Sequence, residues 1–224
     1  MGGKGMRGRG SLSRPEKARA SVGRPPQVSD EELLRAALRL FAEFGYEGMS
    51  VRMLNLQLGI SHNTVNNRYG SKLNLWYAAV DLGFSSLRKV LVTLVMELQG
   101  STDHREVTRR GIGTFLRAAQ QQPDILQIMN TEGATAGPRI SYAFKTHLGP
   151  LTSMMNVALQ DSIAEGRVRK FPVRGMMYLL GHGSSAEFTL AGLANEFDEL
   201  LGPMDQDEYI EQMTEFLLAG LFID

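Results

Sequence analysis

The chain has 224 residues, 43% of them hydrophobic and 21% charged, with a formal net charge of zero, which is the composition of a folded protein with room for one small and one larger domain. It contains no cysteine, so disulfides, thiolate metal sites and thiol catalysis are excluded together, in keeping with a reducing cytoplasm. No apolar run approaches the roughly 20 residues that span a bilayer. The N-terminus also lacks the apolar segment of a signal peptide, and a cytoplasmic protein without a membrane partner is expected.

The neutral total hides an asymmetry. Residues 1–75 carry 12 Lys and Arg against 6 Asp and Glu, whereas residues 76–224 carry 12 against 18. The first part is thus suited to a polyanion and the second is not. Much of the excess lies in residues 1–28, where Lys4, Arg7, Arg9, Arg14, Lys17, Arg19 and Arg24 stand among Gly, Ser and Pro. This composition predicts a disordered tail. Its basic side chains either add sequence-independent attraction to phosphate, enter a narrow minor groove, or only keep the chain soluble.

Ser29 with Glu32 three residues on predicts a capping box. Leu33, Ala37, Leu40, Phe41 and Phe44 then recur at helical spacing until Gly45. Ser50 predicts the start of a second helix, with Val51, Leu54 and Leu58 as its apolar stripe. Gly59 permits a tight turn through Ile60 to a new cap at Ser61. A third helix is expected over 62–69. Val65 and Tyr69 form an inward i,i+4 pair, which leaves His62, Asn63, Thr64, Asn66, Asn67 and Arg68 outside. Two helices joined by a glycine turn, the second short and polar, match a helix-turn-helix whose recognition helix enters the major groove. Asparagine can pair with an adenine edge and arginine with guanine or phosphate. The alternative is a structural hairpin with a solvated polar face.

These residues carry a family likeness. Phe41, Gly45 and Tyr46 at the end of the first helix, Ser50 and Val51 opening the second, and the run GISHNTVNNRYGSKLNL over 59–75 resemble the DNA-binding domain of the TetR family of bacterial transcriptional regulators. The resemblance covers residues 29–75. Four positions depart from the pattern: Asn55 and Leu58 replace small alanines, Asn63 a common glycine, and Asn66 an aromatic ring. The resemblance implies an all-α protein, with a three-helix helix-turn-helix DNA-binding domain at 29–75 and a larger helical ligand-sensing and dimerising domain at 76–224. It implies DNA contacts from Ser50, Arg52, Ser61, His62, Asn63, Thr64, Asn66, Asn67, Arg68 and Lys72, with Arg68 and Lys72 on phosphate. The expected partners are a palindromic double-stranded operator, a second copy of the chain, and a small-molecule effector that releases a repressor from DNA.

Ser71 predicts the cap of a long helix through Trp76, Val80, Leu87, Leu91, Leu94 and Leu98, about 40 Å in length. Asp103 with Glu106 opens a helix to Gln122, and Pro123 suits the first turn of a short helix through Met129. Residues 132–138 are expected as a loop. The pattern from Arg139 to Glu165 is helical, with a kink or break at Gly149 and Pro150. The middle helices supply Met96, Phe115, Met129, Tyr142, Phe144, Met154 and Met155, a soft apolar set able to line an adaptable cavity for a mainly apolar effector. His147, Asn130 and Asn156 are its polar handles. Ordinary core packing is the competing reading for each of them.

Two last helices are expected over 172–197 and 204–222. Gly181, Ser185, Phe188 and Gly192 follow heptad-like spacing, and Ile210, Met213, Leu217 and Leu221 give the final helix an apolar face. Together they predict a dimer surface, unless both faces close the core of a monomer. His62, His104, His147 and His182 fall in different elements, and no nucleophile elbow, HExxH or phosphate-binding glycine loop occurs. Neither a metal, a cofactor nor an enzymatic activity is expected. The reading that competes with a regulator is a helical ligand-binding or enzymatic domain with a structural hairpin at its N-terminus.

Overall fold

The computed structural model describes Gly2 and residues 28–223, so the basic tail lies, but for Gly2 and Val28, outside the described residues. The Ser29 hydroxyl accepts from the Glu32 backbone N–H (3.2 Å), and the Glu32 carboxylate accepts from the Ser29 N–H (2.9 Å), which opens α1 (Asp30–Gly48). The Ser29 N–H first, and then the Ser29 hydroxyl, which donates to the same carboxylate at 2.8 Å, hold the Glu32 carboxyl below its ordinary range. Leu33, Ala37, Leu40 and Phe41 are buried, but Phe44 faces outward. The regular helix breaks at Gly45 (φ 68°, ψ 172°), and one further turn reaches Gly48.

The next two helices are α2 (Val51–Leu58) and α3 (Thr64–Tyr69). Helix α4 (Lys72–Glu97) starts where the Ser71 hydroxyl accepts from the Asn74 N–H, and α5 (His104–Gln121) starts where Asp103 accepts from the Glu106 N–H. Helix α6 (Pro123–Gly133) runs past Met129 into the segment expected as a loop, because nothing between Asn130 and Glu132 breaks a helix. The irregular backbone is confined to 134–137.

Of the kink or break expected at Gly149 and Pro150, no break occurs, and the disturbance is a π turn that ends at Gly149. Helices α7 (Pro138–Ala143) and α8 (Gly149–Ala164) are joined through a π turn over Phe144–Leu148. Pro150 has no N–H for the carbonyl four residues back, and the ladder loosens to a five-residue spacing in which Gly149 N–H reaches the Phe144 carbonyl. A Cβ on residue 149 would lie 3.0 Å from that carbonyl oxygen, which suits glycine there.

The single helix expected over 172–197 is instead three pieces: α9 (Val173–Tyr178), α10 (Ala186–Thr189) and α11 (Ala191–Leu201), with a π turn at Leu179–Gly183. Ser185 turns its hydroxyl back to the Leu180 carbonyl (2.7 Å) and Leu190 leaves helical angles (φ −113°, ψ 49°), so local side-chain bonding displaces the regular ladder. Asp205 caps α12 (Gln206–Leu221). After it, Phe222 forms an antiparallel bridge with Val168.

Helix α1 packs on α4 and α6, α4 on α5, and α5 on α12. Buried side chains form one continuous core from Leu33, Phe41 and Trp76 through Leu116 and Ile125 to Ile210 and Leu218. The N-terminal helices therefore share their core with the helices beyond residue 75. Among the described residues no helix is long and apolar enough to cross a membrane.

Candidate nucleic-acid interface and adjoining cleft

Local bonding sets the geometry of α2 and α3. The Ser50 hydroxyl accepts from the Met53 N–H (3.2 Å), so it is spent on the cap. Gly59 takes the left-handed conformation (φ 62°, ψ 28°), and Ile60 N–H returns to the Asn55 carbonyl at 3.0 Å. The Asn55 side chain, which replaces a small residue of the family pattern, is buried and donates to the His62 carbonyl at 3.2 Å. It ties α2 to the turn before α3, a role the sequence reading missed. The only signal was a polar residue on the inner face of α2.

Helix α3 begins at Thr64, two residues later than expected. The Thr64 N–H bonds the Ser61 carbonyl in a turn, and the Ser61 and Thr64 hydroxyls bond each other at 2.8 Å, so Ser61 closes a turn and does not cap a helix. Val65 is fully buried, while His62, Asn63, Asn66 and Asn67 project outward. Their side chains make no hydrogen bond to another described residue. Arg52, on α2, is likewise exposed and unpaired among the described residues.

Two cations are held by the protein itself. Arg68 donates to the Val28 carbonyl (2.9 Å) and to the Asp30 carboxylate (3.1 Å), which pins the end of α3 to the start of α1. Lys72 lies 4.5 Å from the centre of the Tyr46 ring and 3.5 Å from the Glu47 carbonyl. Of the ten expected DNA contacts, Arg52, His62, Asn63, Asn66 and Asn67 are thus free. Ser50, Ser61, Thr64, Arg68 and Lys72 also serve the fold.

A cleft of about 460 Å³ opens between α4 and the π turn with α8. Of the eight expected effector contacts it gathers only Met96, His147 and Met154. Phe115 lines a separate void of about 50 Å³, Met129 is core, Met155 packs against the core, and Phe144 points to solvent. Tyr142 is committed to α4: its hydroxyl donates to both carboxylate oxygens of Asp81 at 2.9 Å, and His147 Nε2 lies 2.8 Å from the same carboxylate. Burial first, then the Asp81 carboxylate, pushes the Tyr142 phenol up to about 12. The cleft wall the sequence reading missed is Phe84, Leu87, Leu91 and Val95, a one-turn repeat in α4 that its periodicity already contained.

The expected dimer stripe is largely internal. Ser185, Phe188, Ile210, Leu217 and Leu221 are buried within the one chain, and Phe188 meets the Tyr209 ring edge-on at 5.8 Å. Met213 is half-buried. Gly181 is half-buried with open space before it, and Gly192 is exposed. The breaks before α11 rotate a different stripe outward: Leu190, Leu193, Phe197 and Leu200 recur at steps of three and four and are each about half exposed or more, with Phe216 of α12 also exposed.

An all-α chain with a helix-turn-helix at its N-terminus and a larger helical body is the class this architecture defines. The model of the bacterial regulatory proteins of the tetR family matches residues 33–79. The HTH-type transcriptional repressor AcnR of Corynebacterium glutamicum is 41% identical over 58 residues, which are 26% of this chain and 31% of that protein. The HTH-type transcriptional regulator YezE of Bacillus subtilis is 29% identical over 96 residues, 42% of this chain and 49% of that one. The chain thus spans between about a third and a half of the curated relatives it matches. Over the fold as a whole, the ketosteroid transcriptional regulator KstR2 of Mycobacterium tuberculosis superposes with a TM-score of 0.67 at 18% identity, covering 88% of this chain and 96% of that chain. The likeness to the tetR family thus lies in residues 33–79, and beyond them it is a likeness of fold.

Proposed function

We propose that the chain is a transcriptional repressor that binds a palindromic operator as a homodimer and leaves it when a small molecule occupies the cleft beside α4. The observation that carries the DNA reading is the row of unpaired asparagines at 63, 66 and 67 on a helix held by Asn55 and Arg68. Donor and acceptor groups left unspent by the fold are available for base edges. The repressing sign rests on the Corynebacterium relative, whose name is that of a repressor.

The dimer reading rests on the α11 stripe. Leu190, Leu193, Phe197 and Leu200 with Phe216 make an apolar face of the kind that helix pairs bury in a four-helix contact. Two copies would set two α3 helices one helical turn of DNA apart. The effector reading rests on the cleft, whose inner wall is α4, the helix that starts at Lys72 beside α3. An effector releases DNA only by binding better to the arrangement that DNA disfavours.

Selection of binding sites from a random DNA pool tests this reading. A palindromic consensus is expected, with affinity falling steeply as salt rises. Asn67→Ala should relax the consensus, and Arg52→Gln should lower the salt slope by about one unit with the consensus unchanged. Failure to enrich any sequence would reject the reading.

A further inference from the structure

We infer that the α4–α8 cleft takes a single-chain amphiphilic carboxylate, with its acid head at Arg88 and its tail along Leu91, Val95 and Met154. This rests on the reading of the cleft as an effector site and narrows the guest from an apolar molecule to an anionic one.

Both walls repeat at one-turn intervals, residues 84, 87, 91 and 95 on α4 facing 147, 150 or 151 and 154 opposite. Such a site is a trough along a helix and suits an elongated guest. From Arg88 to Met96 it runs about 12 Å, at the helical rise per residue. Its volume of about 460 Å³ lies within the range of small-molecule sites. Apart from Arg88, Thr146 and His147 the lining is apolar, and it is left uncovered, with Val92, Val95 and Met154 each about half exposed. Met96 and Met154 have unbranched, adaptable side chains that accommodate a flexible chain.

Charge selects the head group. Among the described residues no carboxylate lines the trough, and Arg88 is its only permanent cation. Arg88 makes no ion pair, hydrogen bond or ring contact with another described residue, whereas most of the arginines in α5 to α7 have partners. Asp81, two turns before Arg88 on the same helix, is already spent on Tyr142 and His147. A guanidinium beside apolar walls meets an acid in a less screened setting than open water, and its fork matches two carboxylate oxygens. Thr146, at the same end as His147, also lines the trough, with its side chain bonded to the Tyr142 phenol.

Calorimetry of the full chain with decanoate, decan-1-ol and decyltrimethylammonium, each below its micelle concentration, tests this. Decanoate is expected to bind about tenfold tighter than decanol, the worth of one charge-assisted hydrogen bond in a partly exposed site, and the ammonium compound weakest. Arg88→Gln should reduce decanoate to the affinity of decanol and leave decanol unchanged. Val95→Trp, a half-exposed site that can accept the ring without disturbing the core, should weaken both. Equal binding of acid and alcohol by the unaltered chain would overturn the inference. So would an acid preference retained in Arg88→Gln, or binding untouched by Val95→Trp. A dimer that Val95→Asp splits would also overturn it, since a second copy would then cover the trough. No DNA enters the titration, so a failed operator selection and a failed decanoate titration are separate results.

Discussion

The guanidinium of Arg139 lies 3.9 Å from the centre of the Tyr46 ring. Arg139 is on α7 and Tyr46 follows the Gly45 break of α1, and the same ring carries the Lys72 ammonium at 4.5 Å. Arg139 Nε also donates to both carboxylate oxygens of Glu132 at 2.9 and 2.8 Å, in a pair that is mostly buried. A single aromatic ring thus joins α7 to the entrance of α4, where the N-terminal helices meet the larger body.

Removing that guanidinium should be costly because Glu132 would be left without its counter-charge. Arg139→Ala is expected to lose about 3 kcal/mol of stability, and Tyr46→Leu about 1 kcal/mol from the ring contact. Urea unfolding of the two single variants and the double variant would measure the coupling between them. Strict additivity would mean that the ring and the guanidinium do not interact energetically.

Asn55 should behave as a positioning residue for α3. Asn55→Ala removes one hydrogen bond to the His62 carbonyl, at about 1 kcal/mol. Asn55→Asp should cost more, about 3 kcal/mol, because a buried carboxylate would face that carbonyl with nothing to donate to it. Both variants should lose DNA affinity beyond their loss of stability when assayed well below the melting temperature. Unchanged DNA binding in a folded Asn55→Ala protein would remove the residue from the interface.

The outward α11 stripe and the buried α12 stripe give opposite outcomes. Leu193→Asp with Phe197→Asp should yield a folded monomer by sedimentation. Ile210→Ala should instead destabilise each subunit by about 3 kcal/mol, through the cavity it leaves, without changing mass at low temperature. A monomer from Ile210→Ala and a dimer from the double variant would return the interface to the residues first expected.

Tyr142 links pH to stability. Its folded pKa of about 12 stands above the value of 10.0 for an ordinary tyrosine. Between these values the unfolded chain gives up its proton first, so the Tyr142 contribution is whole below pH ~10 and is lost as pH rises toward ~12. Ultraviolet titration of tyrosinate, with Tyr142→Phe as the blank, should find one late-ionising group. Asp81→Asn should bring it part of the way down, since burial remains when the carboxylate is gone. No change in that variant would deny the Asp81 contact its share.

Capping and turn chemistry were legible in the residues because they act within one turn. Ser29 with Glu32, Ser50, Ser71 and Asp103 each cap the helix expected of them, and Gly59 makes its turn, since the donor and the acceptor are only a few positions apart. The family likeness came from the same stretch. What periodicity could not decide was which neighbour an apolar face meets. Ile210, Leu217 and Leu221 repeat correctly for an interface, yet α5 reaches them first and they close the subunit core. Phe115 and Met129 are core for the same reason, while α4 leaves its outer stripe open beside α8. The breaks at Ser185 and Leu190, which decide the outward stripe of α11, hang on a hydroxyl returning to a carbonyl five residues back, a bond that competes with the helix only when packing holds both ends. Arg68 and Lys72 read as free cations along the chain, and tertiary structure alone gave them Asp30 and Tyr46, 38 and 26 positions away, because charge pairing depends on distance in space.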